Sequence, residues 1–314
     1  MADDFMDGNR LTREELDHLA KRRRDLQSYE PPVWESAEND PVSGEKIRIP
    51  MTRKANIAFF GPVGSGKSSL IGSMCRSVNG MPEFPMSVEQ TLHHPDDQHG
   101  TLHWRETAGN QHETLNYQDT RGDQAYDDVE RSVHDMAVRG FYRDGAPMGR
   151  FHAFCEHFWK QRFFWERTLN DIPHCVVFVF DGSTEPFLKG EGLKFFKNVF
   201  KDFVTHGYEP VIVITCLDVL YKDCREGGRN FHVEKDRKVD KILAEFEHLD
   251  LTKQNVYFVA NFHDGRRGIR LWDENDDGFE KANKIFVDLA KDLKNIGNKF
   301  IKQHYGKTRH CSLL

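Results

Sequence analysis

The chain has 314 residues, enough for one large domain or two small ones, and its 38% hydrophobic and 30% charged side chains are ordinary for a globular protein. A net charge of -6 leaves no basic excess to neutralise a phosphate backbone, so no nucleic-acid partner is expected. The six cysteines show neither C-x-x-C pairing nor disulfide-framework spacing, and no run is long enough to span a bilayer. Met1-Ala2-Asp3-Asp4 is acidic, lacks an apolar signal core, and has Ala where N-myristoylation needs Gly. A cytoplasmic, reducing setting is expected.

Residues 1–50 read as an N-terminal extension. Thr12 and Glu15 form a capping box, which predicts a helix with Leu16, Leu19 and Leu26 on one side and Lys21-Arg22-Arg23-Arg24 near its end. That helix is either docked through its leucines or presents a basic face to anionic lipid or a partner. Pro31-Pro32 and Pro41-Val42-Ser43-Gly44 then predict a linker. Residues 51–305 alternate apolar runs with amphipathic ones, the pattern of an α/β domain with helices on both faces of a mostly parallel sheet. Six strands are predicted, at 56–61, 101–107, 114–120, 174–181, 210–215 and 255–261, the second and third joined as a hairpin through Ala108-Gly109-Asn110. Helices are predicted at 67–78, 124–139, 192–206, 234–249 and 279–304.

A helical insert is expected at about 125–172. Within it Phe151, Phe154, Cys155, Phe158, Trp165 and Leu169 share one helical face, while Trp159, Phe163 and Phe164 point elsewhere. The first set reads as core. The second is open to burial by a protein effector or by self-association.

The chemistry centres on Gly61-Pro62-Val63-Gly64-Ser65-Gly66-Lys67-Ser68-Ser69, which fits G-x-x-x-x-G-K-[ST] between a predicted strand and a predicted helix. The glycines let backbone N–H groups close around a phosphate, Lys67 reaches the outer phosphates, and Ser68 places a hydroxyl on Mg2+. Asp119-Thr120-Arg121-Gly122 is a D-x-x-G at a strand end: Asp119 is placed to hold the metal through water, and the Gly122 amide to sense a γ-phosphate. Thr215-Cys216-Leu217-Asp218 closes a later strand, where Asp218 can accept from the N1–H and 2-amino groups of guanine, a donor pair that adenine lacks. Asn261 is a further candidate beside the base. The expected ligands are GTP or GDP with Mg2+. Thr91 is the candidate switch hydroxyl for the metal, with Ser87 competing.

Loop, D-x-x-G and x-x-x-D in this order resemble the Ras-like G-domain plan of the P-loop NTPases. More narrowly, Gly61–Ser69, Ile172–Asp181 and Val259-Ala260-Asn261 resemble the interferon-induced protein 44 family over residues 50–300. That resemblance implies a GTP-binding domain with weak or unproven hydrolysis. Thr215 and Cys216 stand where ordinary small GTPases have N-K, which removes the lysine that packs over the base. Asp123 stands where Ras-type proteins place the glutamine that orients water, with Gln124 one residue later, and Val63 would crowd an arginine finger. Lys67 and Gln124 are therefore the only catalytic candidates, and slow turnover is expected.

Weaker signals have plainer readings. His93, His94, His99, His103 and His112 fit no closed zinc pattern, and 273–278 opens like an EF-hand loop but carries Lys284 at the twelfth position. Cys311-Ser312-Leu313-Leu314 fits C-a-a-X, preceded by Lys299, Lys302, Lys307 and Arg309, so residues 306–314 are expected to be a tail, released by Gly306 and geranylgeranylated at Cys311. The functional expectation is a prenyl-anchored GTP-binding switch at the cytosolic face of a membrane. Two alternatives remain: a scaffold that holds nucleotide without hydrolysing it, and an ATP-dependent kinase.

Overall fold

The computed structural model describes residues 11–39, 46–80, 105–142, 144–145, 148, 168–183, 190–245, 255–261, 263–264, 269–270 and 277–311. Two apolar runs set the architecture. β3 (Ala55–Phe60) is buried at every position and β6 (Cys175–Asp181) at all but the last, as central parallel strands require. They pair in parallel, Ile57 opposite Cys175 and Phe60 opposite Phe178. β5 (Leu115–Asp119) adds in parallel on the other side of β3, while β7 (Val211–Thr215) and β8 (Val256–Phe258) extend the sheet beyond β6. β4 (Arg105–Ala108) closes the far edge antiparallel to β5, so the order is β4-β5-β3-β6-β7-β8.

Alternation along the strands divides the helices between the two faces. α2 (Lys67–Asn79) and α7 (Asp277–Cys311) pack on each other and onto β3, β5 and β6. On the other face α3 (Asp128–Val138) meets α4 (Gly190–Thr205), whose Phe196, Phe200 and Phe203 pack against Phe60, Phe178 and Phe180 of the sheet. α5 (Leu217–Glu226) and α6 (Phe231–Glu245) follow β7, and β9 (His263–Asp264) with β10 (Ile269–Arg270) forms a small antiparallel pair. No helix among the described residues is long and apolar enough to cross a membrane.

α1 (Arg13–Gln27) starts with its capping box in place: Glu15 N donates to Thr12 Oγ1 at 3.3 Å, and Thr12 N donates to Glu15 Oε2 at 2.9 Å. Leu19 and Leu26 are buried, whereas Leu16 stays exposed. Half of the basic run is spent on the fold, while Lys21 and Arg24 stay exposed. Arg22 pairs with Asp288, Arg23 Nε donates to Ser77 O at 2.8 Å, and Gln27 Nε2 donates to Val78 O at 2.9 Å. Two carbonyls that the end of α2 leaves unpaired are thus satisfied by α1.

Four expectations change. The predicted linker instead holds a hairpin, with β1 (Val33–Asn39) antiparallel to β2 (Lys46–Pro50) and Trp34 opposite Ile49. Val33, Trp34, Ile47 and Ile49 are the β-branched and aromatic residues that favour pairing, and Pro41–Gly44 lie outside the described residues. α3 starts at Asp128, not Gln124, because Asp127 is its N-cap and Tyr126 takes φ 53°. α5 is a helix that the sequence reading omitted. α7 continues through Gly306 to Cys311, since one interior glycine costs about 1 kcal/mol and the helix is docked by Leu289, Leu293 and Phe300. The aromatic segment 151–167 and the stretch 81–104, with Ser87, Thr91 and four of the histidines, lie outside the described residues.

Candidate functional site: a phosphate loop at the carboxyl ends of the strands

The chain leaves β3 into a loop that only glycines can follow. Gly61, Gly64 and Gly66 have φ of 140°, 77° and 86°, and a Cβ on Gly61 would sit 2.2 Å from Val179 O of the neighbouring strand. Gly66 is the N-cap of α2 and no side chain caps that helix, so its first amides face into the loop's concavity, where an anion is favoured. Lys67 folds back over the loop, with Nζ donating to Gly61 O and Pro62 O, each at 3.0 Å. An ammonium has three protons, so one is left for a ligand. Burial lowers the Lys67 pKa, and the nearby Asp119 and Asp123 work against that shift.

Asp119 ends β5 beside this loop. Its Oδ2 accepts from Ser68 Oγ at 2.5 Å, while its Oδ1 is buried without a partner. Burial raises the Asp119 pKa against the favourable field of Lys67 and the Ser68 bond. A buried carboxylate oxygen with no donor is a costly feature, and a hydrated divalent cation beside Ser68 would relieve it. The donor set therefore fits Mg2+: a hard cation takes hydroxyl and carboxylate oxygen and keeps several waters.

The D-x-x-G segment lies against the loop. Asp123 N donates to Gly61 O and Val63 N donates to Asp123 O, both at 3.1 Å, forming a parallel bridge between Pro62 and Asp123. Gly122 sits so close to Val63 that a Cβ there would meet Val63 Cα at 2.5 Å. Thr120 Oγ1 donates to Phe59 O at 2.6 Å, and Arg121 NH1 donates to Met148 O at 3.3 Å.

The other side of the loop is tied to β7 and to the end of β8. Thr215 Oγ1 donates to Ser65 O at 2.7 Å, and Asn261 Nδ2 makes a longer bond to Gly66 O at 3.4 Å. Ser65 Oγ and Asn261 Oδ1 are buried without partners. Cys216 has φ 58°, uncommon for a residue with a side chain, and burial pushes its thiol up to about 12, so it is no thiolate. This left-handed turn starts α5 and sets the half-buried Asp218 in its first turn.

The structure thus gathers Gly61 to Ser69, Asp119, Gly122, Thr215 and Asn261 around one loop. Asp218 stands two residues beyond Cys216, and the backbone N of Gln124 is held by Glu130 at 3.0 Å. Cys311 is the last residue of α7. Sequence reasoning missed the partners of the segment after Gly122: Asp123 Oδ1 is 2.8 Å from His134 Nε2, and Glu130 accepts from three consecutive amides. The available signal was a Glu and a His four residues apart on the apolar side of α3.

A phosphate loop leaving the central strand β3, an antiparallel edge at β4 and the order β4-β5-β3-β6-β7-β8 decide the fold class. This is the P-loop GTPase fold. No family model matches the chain and no curated protein does, so the family suggested by sequence resemblance is not shown. Among solved structures, a probable GTP-binding protein engB overlaps 76% of this chain and 99% of its own at 14% identity and a TM-score of 0.36. At that level of overlap the functional reading stands on this chain's own residues.

Proposed function

We propose that the chain is a guanine-nucleotide-binding protein that holds GTP or GDP with Mg2+ in the loop at Gly61. The observation that carries this reading is the coincidence, in one concavity, of the spare Lys67 proton, the uncapped amides of α2 and the unpartnered Asp119 Oδ1. Each lacks a partner that a magnesium nucleotide supplies. Lys67 binds the outer phosphates. Ser68 and Asp119 hold the metal, which when bound neutralises charge on the phosphate oxygens. Thr215 and Asn261 fix the loop relative to β7 and β8, and Asp218 selects guanine by accepting from its two ring-edge donors.

Hydrolysis is the weaker part of the activity. Asp123 occupies the position after D-x-x-G, where its Oδ1 lies 2.8 Å from His134 Nε2, and a carboxylate cannot present the amide that orients water in Ras-type proteins. Nothing about that arrangement favours rapid turnover, so the protein works by binding: a slow switch, or a scaffold that nucleotide completes. Membrane attachment through a prenylated Cys311 follows from the C-a-a-X pattern and the nearby lysines. The aromatic segment 151–167 is the proposed contact for an effector or a second copy.

Titrating fluorescent GTP and ATP analogues tests the nucleotide reading. GTP should bind at least tenfold more tightly than ATP, and Asp218→Ala should weaken GTP by about tenfold, the effect of a charge-assisted hydrogen-bond pair. Equal affinities, or no loss on Asp218→Ala, would remove guanine from the assignment. For the anchor, the full chain and Cys311→Ser are compared in eukaryotic cells: the intact protein should sediment with membranes and the variant should not. Equal partition refutes prenyl anchoring.

A further inference from the structure

Residue 123 is held from three directions. Its amide and carbonyl are bonded to Gly61 O and Val63 N of the phosphate loop, and its carboxylate is paired with His134 where both side chains are at most 4% exposed. The next three residues are held as well. The Glu130 carboxylate accepts from the amides of Gln124, Ala125 and Tyr126 at 2.8 to 3.1 Å. Tyr126 takes φ 53°, which turns three consecutive N–H groups toward one point. Such a nest binds anions, and here the protein fills it with its own side chain.

Glu130 and His134 lie one turn apart on α3, so a single helix face makes both contacts. The His134 ring is fixed in turn by aromatic neighbours, with centroids 4.9 Å from Phe60 and 5.7 Å from Phe195. Phe60 is also the residue from which the phosphate loop departs. The loop, the segment 122–126 and α3 are therefore one connected unit, and the loop's first three residues cannot move away from Gly122-Asp123 without breaking the bridge.

We propose that Glu130 and His134 are positioning residues: their face of α3 is a latch that holds residues 122–126 on the phosphate loop and sets the rate at which bound nucleotide escapes. This rests on the guanine-nucleotide reading above. Opening the cradle requires the bridge, the Asp123–His134 contact and the Glu130 bonds to yield together, and each partner left buried without its bond adds to the cost. Openings of this kind are rare, and release waits on them.

The test uses Glu130→Ala, its conservative counterpart Glu130→Gln, and His134→Phe, which keeps a ring among Phe60 and Phe195. Hydrogen exchange at the Val63 and Asp123 amides is measured in nucleotide-free protein. Release of preloaded fluorescent GDP is measured against excess unlabelled GDP. Glu130→Ala and His134→Phe should each speed both processes at least tenfold while amides of β6 keep their protection, and Glu130→Gln should fall between Glu130→Ala and the parent. Unchanged exchange at Val63 and Asp123 overturns the latch. Faster exchange with GDP release within twofold of the parent overturns its control of the nucleotide. A parent protein that takes up no GDP overturns the guanine reading instead, and the exchange measurement, which needs no nucleotide, still decides whether the latch exists. If Glu130→Ala does not fold, Glu130→Gln and His134→Phe carry the comparison.

Discussion

The two ends of the central sheet bury polar side chains in opposite ways. At the amino ends of the strands, His174 accepts from Asn56 N at 2.8 Å and, through Nε2, donates to Leu169 O at 2.6 Å. Asn56 Nδ2 donates to Asn170 O and Ile172 O, each at 3.0 Å, and Asn56 Oδ1 accepts from Asn116 Nδ2 at 2.9 Å. At the carboxyl ends of the same strands, Ser65 Oγ, Asp119 Oδ1 and Asn261 Oδ1 are buried with no partner. Polar burial alone does not make a site; unpartnered polar atoms gathered around one glycine-rich loop point to one.

The largest effect that separates the two ends is predicted at Gly61. Replacing it with alanine puts a methyl 2.2 Å from a backbone carbonyl of β6 at a φ of 140°, and neither atom belongs to a flexible side chain. Overpacking and backbone strain together should cost about 4 kcal/mol, a large share of the roughly 5–15 kcal/mol that holds a typical domain. Denaturant melts of Gly61→Ala against the parent measure it. A loss below about 1 kcal/mol would show that the loop relaxes around the methyl, and would remove the argument that its shape is imposed by the neighbouring strand.

How much of this could be read from the chain depends on how local each signal is. The phosphate loop and the D-x-x-G are contiguous, and β3, β6 and β7 are continuous apolar runs, so fold class and strand positions follow from pattern. The β1–β2 hairpin was hidden because the same residues punctuate turns and linkers. α5 was hidden because ten residues give few periods to count. The latch was hidden for a deeper reason: Glu130 and His134 look like ordinary helix residues until the fold sets them against Asp123 and three amides. Asp218 shows the reverse case. Its motif was legible, yet its merit depends on a base whose position the first turn of α5 only begins to define.

The amino end of the sheet can be tested by pH. Burial drops the pKa of His174 from 6.5 to about 4, so the folded protein keeps this ring neutral where the unfolded chain would protonate it. With the folded value depressed, unfolding takes up a proton between pH 6.5 and 4. The stability is then fully present above 6.5 and is lost as pH falls toward 4. At about 1.4 kcal/mol per pH unit the total loss from this one group is about 3.5 kcal/mol, a little below the Gly61 effect. The surrounding carboxylates add their own acid sensitivity, so the measurement is a difference: urea denaturation of the parent and His174→Gln at pH 7.5, 6 and 5. The variant starts less stable, because glutamine cannot reproduce both bonds in one geometry, but the gap should narrow as pH falls, since only the parent must exclude the proton. A constant gap would mean that His174 is already solvated or charged in the fold, and the contrast between a completed end and an incomplete end would lose its central residue.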